Sequence, residues 1–133
     1  MAKRRPASPP PCPCGLPSSY RDCCGRVHRG QAAASTAEQL MRSRFSAFVK
    51  QDAGYLLRSW HPATRPPVVG FERGLRWRDL EIVATTGGSP FHTEGTVEFR
   101  ARYIQDGRDG ELHELSSFVR HEGAWVYLKG TTP

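Results

Sequence analysis

The spacing of hydrophobic and polar positions changes period once along the chain. Apolar residues recur at Leu40, Met41, Phe45, Phe48 and Val49, one stripe of a helix, with Arg42, Lys50 and Gln51 largely off it. The preceding Ser35-Thr36-Ala37-Glu38 has capping-box spacing, in which the Ser35 hydroxyl accepts from the Glu38 N–H and the Glu38 carboxylate from that of Ser35. Asp52 is placed to cap a second, shorter helix carrying Tyr55, Leu56 and Leu57. That helix is expected to stop near Trp60-His61, because Pro62 disfavours helical backbone in the residue before it. Ala63 to Gly70, with Pro66-Pro67, reads as a loop.

Beyond the loop the period is two. Ile82-Val83 centres a strand over 77–86, broken by Gly87-Gly88-Ser89-Pro90. Over 91–104, Val97, Phe99, Ala101 and Tyr103 alternate with Glu98, Arg100 and Arg102, a strand with one buried face. Asp106 to Gly110 is a hairpin connection to a strand over 111–121. Glu122-Gly123 then turns the chain into a last strand from Ala124 to Lys129, with Trp125 and Tyr127 on one face. Two helices followed by three or four antiparallel strands predict an α+β domain over 35–133, with the helices on one face of a curved sheet. Such a sheet leaves a conical cavity that aromatic side chains line or fill.

The first thirty residues are different in kind. All four cysteines lie here, as Cys12-Pro13-Cys14-Gly15 and Cys23-Cys24-Gly25, and the hydrophobic pattern is too sparse for a core. A Cys-x-Cys pair and a Cys-Cys pair eight residues apart can bring four thiolates to one point, an arrangement that suits a tetrahedral zinc ion with sulfur near ~2.3 Å. Metal binding would itself fold the segment over 12–30. Four thiolates also accept iron. Disulfides are the competing reading. Adjacent Cys23 and Cys24 have Cα atoms about 3.8 Å apart, too close for the usual bridge, but pairing between the two ends stays open. His28, just past the pairs, is expected at the surface, with replacement or orientation of a cysteine as the other role open to it.

Charge follows the same division. Of the formal net charge of +6, nearly all sits in residues 1–30, where Lys3, Arg4, Arg5, Arg21, Arg26 and Arg29 face only Asp22. With four thiolates and a divalent ion in place the module keeps about +3. That is enough to touch an acidic protein surface or the ribosome, or to make weak, non-specific RNA contacts, and it serves solubility equally well. Residues 1–11, rich in Pro and basic side chains, read as a disordered tail. They lack the apolar run of a secretory signal, and no window approaches a membrane span. The expectation is a cytoplasmic protein without membrane contact, in a compartment where thiols stay reduced and favour metal over disulfide.

The cysteine spacing resembles the SEC-C motif, a small zinc module, in full, and Tyr20 falls on its usual aromatic position. Leu16-Pro17 departs from the Ser-Gly common there, which alters the loop surface without touching the ligands. Ala37-Glu38-Gln39-Leu40-Met41-Arg42-Ser43-Arg44-Phe45-Ser46-Ala47-Phe48, Tyr55-Leu56, Trp60-His61-Pro62, Glu114-Leu115-Ser116-Ser117-Phe118 and Trp125-Val126-Tyr127 resemble the bacterial YchJ family. The two resemblances together span nearly everything beyond Pro11. They imply a SEC-C zinc module, with Cys12, Cys14, Cys23 and Cys24 as ligands, joined to an NTF2-like domain. They imply a fold rather than an activity, since NTF2-like domains serve as enzymes and as binding modules.

Two functions are therefore expected to compete. In the first, the chain is an adaptor. Four protein ligands leave a zinc ion no open position, which marks a structural site. The knuckle would then face a protein partner or the ribosome, and the cavity would hold a ligand or a second partner. In the second, the cavity is the active site of a small-molecule enzyme of isomerase, dehydratase or hydrolase type. Its weak catalytic candidates are His61, Tyr55, Tyr103 and Glu114, with His92 and His113 also in view. His61 stands beside bulky Trp60, yet a histidine at a helix end is commonly packed and bonded to backbone. His113 and Glu114 point to opposite faces of a regular strand and cannot both enter the cavity. Arg44 shares a helix face with Leu40 and Phe48, so it either reaches the cavity or snorkels to water.

Overall fold

The computed structural model describes residues 9–133, so the expected disorder of the tail lies outside the described residues except at Pro9–Pro11, where Pro11 forms an isolated bridge with Ser19. A single 3-10 turn, Tyr20–Asp22, leads into α1 (Cys24–His28), followed by α2 (Ala37–Lys50) and α3 (Ala53–Arg58). Then come four strands, β1 (Leu75–Gly87), β2 (Glu94–Gln105), β3 (Arg108–His121) and β4 (Ala124–Thr131), in one antiparallel sheet of order β1-β2-β3-β4. Among the described residues, no helix is long and apolar enough to cross a membrane.

The start of α2 differs from expectation by one residue. Thr36, not Ser35, is the cap, accepting from the Gln39 N–H at 3.0 Å. Gln39 in turn accepts from the Ser35 N–H at 2.8 Å. Glu38, released from the reciprocal role, meets Arg42 one turn on at 3.0 Å. Both frames satisfy the same spacing rule, because Ser-Thr and Glu-Gln are adjacent pairs. Asp52 caps α3 as expected, accepting from the Tyr55 N–H at 3.0 Å.

The buried stripe of α2 packs on β1, β2 and β4. Leu40, Met41 and Phe45 meet Leu80, Val97, Phe99, Ala101, Phe118 and Trp125 in one core. Each large side chain buried there contributes about 1.5–3 kcal/mol. Register shifts at Trp77/Asp79, Ile82/Ala84 and Ser117/Phe118 bend the sheet around the helix. Both β2–β3 and β3–β4 close in two-residue turns, Asp106-Gly107 and Glu122-Gly123, with positive φ at all four residues. The first turn is tighter than the five-residue connection expected, and Arg108 to Gly110 belong to β3. Phe91, expected in β2, lies in the loop before it and is almost fully exposed.

Strand alternation sorts the polar residues. Phe99 pairs with Glu114 and Val97 with Ser116, so Glu114 and Ser116 face the helices. The opposite face carries Arg102 bonded to Asp79 at 2.8 Å, and His113 bonded to Glu98 at 2.6 Å. Exposed pairs of this kind contribute little to stability.

Candidate metal centre

The Sγ atoms of Cys12, Cys14, Cys23 and Cys24 all lie within 4.8 Å of one another, and all four thiols are free of disulfides. Three of the four residues are buried and Cys23 is half-buried. The Cys14 and Cys23 sulfurs are 3.7 Å apart. Four sulfurs about 2.3 Å from a tetrahedral ion stand about 3.8 Å from each other, so this edge already has the right length.

The local chain makes the convergence. The N–H of Cys12 donates to the Ser18 carbonyl at 2.7 Å and that of Gly15 to the Cys12 carbonyl at 3.1 Å, closing the first loop. Gly25 begins the second arm. A Cβ there would lie 2.6 Å from the Tyr20 carbonyl oxygen, so only glycine lets α1 close on the 3-10 turn.

Four thiolates without a cation cannot all ionise. Cys14, bonded first of all by the Cys24 thiol, is held down to about 5. Cys24 is pushed up by that same bond, and Cys23 is pushed up to about 12 by burial. Ionisation of one sulfur thus opposes that of its neighbours, a conflict that a divalent cation relieves. The donor set and its spacing fit a soft metal ion held by these four residues.

The knuckle is not an appendage. It is docked on α2 by polar contacts that the pattern of apolar residues does not reveal. The Cys12 sulfur is 3.5 Å from the hydroxyl of fully buried Ser46. Arg42 donates to the Cys14 carbonyl at 2.6 Å. His28, expected at the surface, is 8% exposed. Its Nε2–H donates to the Ser43 carbonyl at 2.7 Å, which leaves Nδ1 to accept from the Tyr20 hydroxyl at 2.6 Å. Tyr55 stacks on the same imidazole, ring centroids 4.4 Å apart, and bonds Ser43 Oγ at 2.5 Å. His28 is thus a bolt between knuckle and helix. Its sequence signal is its four-residue offset from Cys24, which puts it on the face of α1 that closes on Tyr20.

The catalytic candidates fall in separate neighbourhoods. His61 meets His121 edge-on, ring centroids 5.0 Å apart, and its Nδ1 accepts from the Ala63 N–H at 3.0 Å. Tyr103 packs on Trp77 and over Gly110. His92 staples its own loop to Ser89, and His113 lies on the outer face. Tyr55 belongs to the knuckle interface, with its phenol pushed up by burial. Glu114 faces the interior, where burial raises its pKa and Ser116 Oγ donates to it at 3.1 Å. Tyr55 and Glu114 share no more than the electrostatic reach of Arg44.

Arg44 is a buried charge on the inner face of α2. It is 4% exposed, and its Nη1 donates to the Leu56 carbonyl at 2.9 Å and to Ser59 Oγ at 2.7 Å. The guanidinium carbon lies 4.9 Å from the Trp60 ring centre and 4.6 Å from that of Tyr127. Burial lowers its pKa to about 10, which leaves it charged at neutral pH. Tyr127 is pushed up to about 12, also by burial. Backbone bonds of 2.8 Å from His61 to Tyr127 and from Tyr127 to Ser59 clamp this corner onto β4.

Comparison with known proteins agrees with this geometry. Residues 36–130 match the family model described as the middle NTF2-like domain of YchJ. The chain belongs to the YchJ family. A UPF0225 protein of Streptomyces coelicolor is 60% identical over 121 residues, covering 91% of this chain and 94% of that one. A UPF0225 protein of Bordetella bronchiseptica is 48% identical, covering 96% and 97%. Two solved structures share the fold over most of the chain. A SEC-C motif containing protein from Rhodopseudomonas palustris is 28% identical with a TM-score of 0.80, covering 92% of this chain and 98% of that one. One from Psychrobacter arcticus is 29% identical with a TM-score of 0.74, covering 92% and 82%. This YchJ-family chain thus combines a SEC-C motif with an NTF2-like α+β domain.

Proposed function

We propose that this chain is a zinc-binding interaction protein of the cytoplasm, in which Cys12, Cys14, Cys23 and Cys24 hold the ion and the knuckle presents the contact surface. The observation that carries the reading is the closure of the sulfur cluster. Four thiolates within 4.8 Å of one another can complete the coordination of zinc and would leave no position for substrate. The ion's role is then to shape a surface. Iron held by the same four sulfurs would betray itself by strong visible absorption.

That surface has both character and a groove. Arg21, Arg26 and Arg29 are exposed together on its outer side. Arg29 Nη2 is fixed by bonds of 3.0 Å to the Arg21 carbonyl and to Gln31. Beside them a cavity of about 230 Å³ runs between knuckle and α2, lined by Cys23, Cys24, Val27 and Ala32 together with Arg26, Arg42 and a single carboxylate, Asp22. Apolar walls beside an arginine-rich surface suit an acidic segment of a protein, a ribosomal protein included.

Cross-linking in cells followed by mass spectrometry tests this, comparing the parent chain with the Arg21→Glu, Arg26→Glu, Arg29→Glu triple variant. The reading expects an acidic protein segment cross-linked through the knuckle, reduced at least tenfold in the triple variant at unchanged zinc content. Equal cross-linking of both proteins, or recovery of RNA rather than protein, contradicts it.

A further inference from the structure

Where the C-terminal end of α2 meets the start of β1, three aromatic rings wall a cavity of about 210 Å³. Phe48 of α2, Phe71 of the connecting loop and Trp77 of β1 line it, with Leu75, Gln51 and Glu72 beside them. The Phe48 ring stands at 83° to that of Phe71 and at 58° to that of Trp77, centroids 6.4 and 6.2 Å apart. Trp77 is held in turn by Phe45 and Tyr103, at 6.2 and 5.3 Å. The loop is tied down by bonds of 3.3 Å from the Leu75 N–H to the Glu72 carbonyl and 3.0 Å from the Asp106 N–H to the Gly74 carbonyl. The walls are therefore set before any ligand arrives. Gln51 and Glu72 are exposed, so the hollow opens to solvent at their side.

Glu72 is the one charged side chain in this lining. Its Oε2 accepts from Gln105 Nε2 at 2.9 Å, and it makes no ion pair among the described residues. In a chain of formal net charge +6, a carboxylate without a cation thus stands at the mouth of an aromatic hollow. The size and the walls narrow what fits. Sites for drug-sized ligands run to about 300–1,000 Å³, so this one takes a small molecule. No arginine or lysine lines it to receive an anion. A metal ion needs more oxygen ligands than one carboxylate and one amide supply. A primary ammonium is strongly hydrated and has three donors to place, which ring faces serve poorly. A quaternary ammonium has none to place. Its methyl groups pack on the rings, and its charge is attracted to ring faces within about 6 Å of their centres.

We propose that Phe48, Phe71, Trp77 and Glu72 form a binding site for a small organic cation with a quaternary ammonium head. The rings take the head and Glu72 balances its charge at the mouth. The site uses none of the knuckle residues, so this inference and the proposed knuckle function can fail independently.

The test is a solution NMR titration of the full chain at constant ionic strength with choline and, separately, its neutral isostere, in which a tert-butyl group replaces the trimethylammonium. It is read at the backbone amides of Gly70, Phe71 and Glu72 and at the Trp77 indole N–H, which Trp77→Phe assigns. The inference expects saturable shifts with choline and at least tenfold weaker binding of the isostere. Phe71→Leu, which keeps apolar bulk and loses a ring face, weakens choline binding at least fivefold. Glu72→Gln, a change at an exposed position that leaves the fold intact, weakens it at least threefold and decides alone should Phe71→Leu unfold. Resonances unmoved at the highest soluble choline overturn the inference. So does equal binding of the two probes, which would mark a merely apolar hollow, or choline binding undiminished in either folded variant.

Discussion

The sulfur of Cys12 and the hydroxyl of Ser46 are 3.5 Å apart, and through that contact the cysteine cluster and the helix of the NTF2-like domain share one interior. A hydroxyl directed at a ligating sulfur tunes its charge and fixes its rotamer. Ser46→Ala is therefore expected to lower metal affinity about tenfold while leaving the sheet and its core intact. Competition against a chromogenic chelator measures this, with circular dichroism as the control. An unchanged affinity would show that the contact is only packing.

His28 ties the same interface by a second route. Tyr20→Phe removes the donor to Nδ1 and leaves that nitrogen unpaired, at an expected cost of about 1–3 kcal/mol in urea unfolding. A change under half that size would mean that water replaces the phenol.

The burial of His28 also sets a pH dependence. Burial lowers its pKa below the ordinary value of 6.5. As pH falls through that ordinary value, the unfolded chain takes up a proton that the folded chain refuses. The stability this supplies is complete above ~6.5 and is lost as pH falls toward the folded value. Acid also protonates the thiols, so His28→Gln is the comparator. The parent should lose more stability than His28→Gln between about pH 7.5 and about pH 5.5 in urea midpoints. Equal losses would remove His28 from the account.

Gly130 and Glu114 form a further testable pair. Gly130→Ala drives a methyl group into the slot of the carboxylate and should destabilise by about 1–2 kcal/mol, whereas the same change in a Glu114→Ala background should be nearly neutral. Thermal unfolding of the four proteins in the cycle supplies the coupling. Additive effects would show that Glu114 does not occupy that slot.

Much of this architecture was legible in the residues, for identifiable reasons. The stripe from Leu40 to Val49, the alternation around Val97 to Tyr103 and the Asp52 cap are local signals, and local geometry honours them. The clustering of the cysteines was equally direct, because four of them within thirteen residues leave few ways to keep the sulfurs apart. The docking of the knuckle was not legible. It rests on Ser43, Ser46, Arg42 and His28, polar residues whose burial depends on partners far along the chain. Periodicity places such residues at a surface, and only the tertiary contact turns that surface into an interface. Arg44 shows the same limit. Its position on the apolar stripe was visible, but its aromatic walls come from Trp60 and Tyr127, which the chain brings together across β4.

The most direct test of the central claim, a closed metal centre that folds as one unit with the NTF2-like domain, is calorimetric unfolding of protein of measured metal content, before and after chelation. The account predicts one zinc per chain and a single cooperative transition, which shifts to lower temperature as a whole when the metal is removed. Protein isolated without metal, or a domain transition that stays in place when the ion is taken away, would contradict it.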